Sequence, residues 1–130
     1  MTARVILLVC MAAAAAGVIG CAPTIVSMDA GVYQHGTLYA AAGKDLDSVY
    51  AATLQATDKL QLQILDTAKD VFGARIKAKS ADGELVVVKM QPAEEKRTEY
   101  EIHIGAFGNE DRSRRLFTEI TNALGAMKGK

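Results

Sequence analysis

Apolar residues recur along this chain with three different spacings, and each spacing predicts a different kind of element. From Leu46 to Leu60 they return every three or four positions, through Val49, Tyr50, Thr53, Leu54 and Thr57, which places them on one face of a helix of about four turns. Asp45 stands just ahead of that run, where a carboxylate accepts from the unpaired amides of a first helical turn. A second run of the same period covers residues 111–127, with Leu116, Phe117, Ile120, Leu124 and Met127 as its stripe. Asn109 is its predicted N-cap, and Lys128 and Gly129 suit its end.

Between and before the helices the period falls to two. "TLYAAA" at 37–42 reads as a first strand whose alanines leave its inward face undecided, and "LQLQIL" predicts a second near Leu62–Asp66. Two alternating runs then flank Asp82-Gly83. If those two residues alone formed the loop, Ile76 would face Lys89 and Val88 would face Lys77, mixing core and solvent. A three-residue loop, Ala81-Asp82-Gly83 with Gly83 left-handed, instead pairs Ala78 with Val86, Ile76 with Val88 and Ala74 with Met90. All six then share one face, while Arg75, Lys77, Lys79, Leu85, Val87 and Lys89 share the other. In "TEYEIHI" the apolar Tyr100, Ile102 and Ile104 alternate with Glu99, Glu101 and His103. The expected fold is therefore α+β, an antiparallel sheet of about five strands in the order β-α-β-β-β-β-α, with two helices packed on one face.

The third pattern is an unbroken apolar block from Val5 to Gly20 behind a single charge, Arg4. At about sixteen residues it falls short of the roughly 20 that span a bilayer. Charged start, apolar middle and small-residue end are the order of a secretory signal. Its last residues, Val18-Ile19-Gly20-Cys21, resemble the lipobox of bacterial lipoproteins. The resemblance implies cleavage before Cys21, a thioether from its thiol to diacylglycerol, and acylation of the new amino terminus. Ala22 occupies the position where inner-membrane lipoproteins commonly have Asp, which implies an outer-membrane address facing the periplasm. Cysteine usage agrees: Cys10 leaves with the signal, so Cys21 has no disulfide partner. The expected organisation is a signal at 1–20, a lipidated cysteine and tether at 21–35, and a single domain at 36–130. Ile25, Val26 and Tyr33 are the tether residues expected to touch something.

Charge adds mainly exclusions. The 15 basic and 15 acidic side chains balance, and Trp is absent, so neither a positive field nor a base-stacking platform points to nucleic acid. His35 and His103 are the only imidazoles, and no cluster has metal-ligand spacing. Glu99 and Glu101 lie about 7 Å apart on a two-residue strand step, but nothing implies the pocket that paired acid–base chemistry needs. Lys89, opposite or diagonal to Glu101, accounts for them more simply. Gly105-Ala106-Phe107-Gly108 lacks the P-loop pattern and is followed by Glu110 and Asp111 where an anion would sit, so it reads as a turn. No cofactor is expected, and no enzymatic activity.

Leu46-Asp47-Ser48-Val49-Tyr50-Ala51-Ala52-Thr53 and Gly105-Ala106-Phe107-Gly108, the latter leading to Ser113-Arg114-Arg115, are similar to segments of a family of small bacterial lipoproteins carrying a domain of unknown function. The resemblance implies fold and location, and no activity. The function expected is a membrane-anchored envelope module that binds or scaffolds other components, envelope proteins among them. A small apolar-ligand binder using a cavity between sheet and helices is the alternative. Five residues are candidate partner contacts. Leu85 and Val87 are aliphatics on the charged outer face, and Arg112, Arg114 and Arg115 head the second helix. Two of the arginines have a structural role available, because Glu110–Arg114 and Asp111–Arg115 are i,i+4 pairs.

Overall fold

The computed structural model describes residues 30–127. The expectations for the signal, for Cys21, for Ile25 and Val26, and for Lys128 and Gly129 lie outside them. The chain runs β1 (Val32–Gln34), β2 (Thr37–Ala42), α1 (Leu46–Lys59), β3 (Gln63–Lys69), β4 (Ala74–Lys79), β5 (Leu85–Ala93), β6 (Arg97–Ile104) and α2 (Glu110–Ala126). All six strands form one antiparallel sheet in the spatial order β1-β2-β6-β5-β4-β3, with both helices packed on one face. The fold is α+β with six strands rather than about five.

The extra strand is β1, inside the stretch expected to be tether. It pairs with β2 through the turn His35-Gly36, in which both residues have positive φ (50° and 82°). That is the primed two-residue turn whose twist matches a hairpin. His-Gly is not among its usual dipeptides, and three residues are too few to show a period. The structured domain thus reaches back at least to Val32, and Tyr33 faces inward beside Leu38.

The predicted hairpin register holds residue for residue: Ala78 pairs with Val86, Ile76 with Val88 and Ala74 with Met90. The loop closes through Ser80 N–H to the Glu84 carbonyl (2.9 Å), and Gly83 is left-handed with φ 93°. The inner face continues across β6 with Thr98, Tyr100, Ile102 and Ile104, all buried. On β2 the inward residues are Leu38, Ala40 and Ala42. At the far edge β3 is longer than expected and exposed at all seven residues. Its register shifts between Ile64 and Asp66, which leaves Leu65 as the extra residue of a bulge. Such a kink spoils an open edge as a template for further strands.

Both helices begin at their predicted caps: the Asp45 carboxylate accepts from Ser48 N–H (2.9 Å), and the Asn109 side chain accepts from Arg112 N–H (3.1 Å). Hydrogen bonds from Ser48 hold the Asp45 carboxyl below its ordinary range. In α2 the stripe is as expected, with Leu116, Ile120 and Leu124 buried and Phe117 and Met127 packed at its margin. Phe117 lies 6.4 Å from the Tyr100 ring in a stacked arrangement. In α1 the buried line is instead Val49, Ala52, Thr53, Ala56 and Thr57, with Leu46, Tyr50 and Leu54 only partly covered. Small residues at its centre let α1 approach its neighbours closely. The two helices are also joined at the surface by Lys59–Glu119 (2.8 Å).

Candidate functional site

With both helices on one side, the other face of the sheet has no layer over it among the described residues. Leu85 and Val87 stand on that face as the register requires, opposite Lys79 and Lys77. Leu85 is 45% exposed, and Val87 is half-buried beside His103. His103 is itself tied to β2, its Nδ1 lying 3.2 Å from Thr37 Oγ1. Lys77 and Lys79, directly opposite these aliphatics, have no ion-pair partner among the described residues, while further along the face Lys89 lies opposite Glu101 with an N–O distance of 3.8 Å and Arg97 is 3.5 Å from Glu99. An apolar centre with a charged border is the composition of a protein contact surface. The same face hollows into a trough of about 540 Å³ where β2, β6 and β5 run beside one another, with Tyr39 and Ala41 among its lining residues.

The three arginines belong to the helical layer, so they do not form one surface with Leu85 and Val87. Arg112 is committed within the fold. It makes a two-pronged contact with Asp82 (2.9 and 2.5 Å) and approaches Glu84 (3.3 Å) and Ser80 Oγ (3.3 Å). This ties the start of α2 to the β4–β5 loop. The Arg112 guanidinium, with help from the Ser80 hydroxyl, holds the Asp82 carboxyl far below the usual carboxylate range. Asp82 in turn raises the pKa of Arg112. Arg114 pairs with Glu110 (3.0 Å) as its spacing predicts. The Asp111–Arg115 pair does not form, and Arg115 has no ion-pair partner among the described residues. A favourable i,i+4 spacing contributes only a few tenths of a kcal/mol, too little to hold two exposed side chains together. Arg115 instead lines, with Leu60, Leu62, Val86, Ile104 and Leu116, a cleft of about 320 Å³ between the helices and the hairpin loop.

Gly105-Ala106-Phe107-Gly108 is a turn, with both glycines at positive φ (80° and 90°). Its Phe107 is 95% exposed. The paired Lys89–Glu101 side chains give Glu101 the partner expected of it. No group of His, Cys, Asp and Glu side chains suited to a metal ion occurs among the described residues. Sequence reasoning missed the trough, because its outer wall is β1. The signal available was Tyr39, which alternation along "TLYAAA" turns to the face opposite Leu38 and leaves 40% exposed.

Sheet and two helices make this a two-layer α+β domain whose second sheet face carries no layer among the described residues. The chain belongs to the family described as protein of unknown function (DUF3568), whose model matches residues 4–123. No curated protein matches it.

Proposed function

We propose that this protein is a lipid-anchored module of the bacterial envelope that binds other envelope components through the uncovered face of its sheet and performs no chemistry of its own. The observation that carries the reading is the join of an apolar leader ending Val18-Ile19-Gly20-Cys21 to a domain that begins within about a dozen residues. The family match supports it by reaching back to residue 4, so that leader and cysteine fall within the family's own span. No helix among the described residues is long and apolar enough to cross a membrane. Two or three acyl chains hold a protein on a bilayer where one chain holds only marginally. The outer membrane, facing the periplasm, is the address that Ala22 favours.

Anchoring has an energetic consequence for binding. Partners on the same membrane meet at high effective concentration, so a patch as small as Leu85 and Val87 is sufficient for contact. Labelled palmitate tests the anchor: the wild-type chain should incorporate it, and Cys21→Ser should accumulate as unlabelled, unprocessed precursor. Normal cleavage and release of Cys21→Ser contradicts the proposal.

A second reading has its own observation, the cleft of about 320 Å³ in which Arg115 stands beside Leu60 and Leu62, the Asp82 carboxylate of the same lining being already paired with Arg112. It suits an amphipathic anion with an apolar body, the chemistry of a fatty acid. Arg115→Glu should abolish retention of such a ligand and leave crosslinking through Leu85 and Val87 intact.

A further inference from the structure

The uncovered face is not uniform. Near Leu85 it is open, but across β2, β6 and β5 it sinks into the trough, whose volume of about 540 Å³ is within the range of small-ligand sites. At its floor is Ala41, which points away from the helices opposite Glu99 and is nevertheless 1% exposed. Tyr39 and its register partner Val32 form one wall. Lys89 and Gln91 of β5 form the other.

We propose that this trough binds a short stretch of uncharged oligosaccharide. The charges in its lining cancel, Arg97 against Glu99 and Lys89 against Glu101. A strongly anionic or cationic ligand therefore meets a group of its own sign beside each attractive one. A wholly apolar ligand would strand those donors and acceptors away from water. The two ion pairs, at 3.5 and 3.8 Å, are longer than the 2.7–2.9 Å of a direct charge-assisted hydrogen bond. Each group thus keeps bonding capacity, and the buried Nε of Arg97 has no acceptor among the described residues. Sugar hydroxyls both donate and accept, so one ring hydroxyl can bridge a guanidinium and a carboxylate. The electron-rich face of the half-exposed Tyr39 ring receives the C–H face of a pyranose, by the electrostatics that govern aromatic contacts generally.

The inference rests on the domain being a binding module, and is independent of its anchor and of Leu85 and Val87. The test titrates the full-length protein, held in a sugar-free detergent, with tetramers of β-1,4-linked N-acetylglucosamine and of β-1,4-linked glucose. At least one should bind saturably, with Kd of about 0.1–1 mM. Preference for the acetylated tetramer identifies a cell-wall type of glycan, and equal binding identifies recognition of the pyranose alone. Tyr39→Ala and Arg97→Ala should each weaken binding about tenfold or more, whereas Tyr39→Phe and the double substitution Leu85→Ser with Val87→Thr should leave it unchanged. Gln91→Ala, at an exposed strand position, gives the same readout if Tyr39→Ala does not fold. Failure of the folded wild type to saturate with either tetramer overturns the inference. So does binding indifferent to Tyr39→Ala and Gln91→Ala, and so does a trough whose substitutions remove only protein crosslinking.

Discussion

Gly36 and Gly108 meet backbone to backbone, and that contact locks the β1–β2 turn against the loop that opens α2. A Cβ on Gly108 would run into the Gly36 carbonyl oxygen and Tyr33 Oη (2.5 Å each), at a φ of 90° that a side chain disfavours. Gly83 has a similar φ of 93° but open space around it, its nearest neighbour being Lys79 Cε at 3.8 Å. Gly83→Ala should therefore cost about 1 kcal/mol from backbone conformation alone, and Gly108→Ala more, about 2–3 kcal/mol or beyond. Urea unfolding midpoints of the two variants check the order, and equal midpoints would contradict the close approach. The Arg112–Asp82 pair makes a prediction in pH. Asp82 has a native pKa depressed below its unfolded value of about 3.9, so its stabilisation is whole above that value and fades as pH falls toward the native one. Arg112→Ala should lower the midpoint at pH 7, with the gap to wild type narrowing below about pH 4. A gap independent of pH would show that the side chain acts by packing alone.

At the scale of elements, the face of α1 carries the clearest lesson. Its large apolar residues announce a helix, yet the line that meets the core runs through Ala52 and Ala56, both essentially unexposed. Ala56→Leu should destabilise by about 1–3 kcal/mol through overpacking, where a helix seated on Leu54 would tolerate it, and thermal unfolding distinguishes the two. Periodicity found α1 because any amphipathic stripe reveals a helix, but alanine is nearly silent about which side of the stripe packs closest. The β4–β5 register was legible for the opposite reason: lysines alternate with branched residues on both strands, and only one loop length keeps Lys77 and Lys79 out of the core. β1 was illegible because its three residues hold too little alternation, and its turn uses His35 at φ 50° where Asn would have marked it. The i,i+4 rule found Glu110–Arg114 and overreached at Asp111–Arg115. It also could not see that Arg112, outside any such pair, would join the hairpin loop from 30 residues away.

Taken as a whole molecule, the two faces of the sheet differ. One side of the sheet is used up in holding the helices, through a continuous core from Leu38 to Ile120. The other keeps Leu85 and Val87 beside Lys77 and Lys79 at one end and the trough beside Tyr39, with its balanced charges, at the other. Strand alternation alone placed Leu85 and Val87, whereas the trough needed β1 and so needed the three-dimensional fold. The function proposed for this molecule is contact of the anchored domain with neighbouring envelope proteins through this face. Crosslinking in intact membranes tests it most directly, comparing wild type, Cys21→Ser, and the double substitution Leu85→Ser with Val87→Thr. Wild type should yield discrete crosslinked partners. Both variants should lose them, the double substitution while still folded and palmitate-labelled. Partners retained by that folded, lipidated double variant would contradict the account.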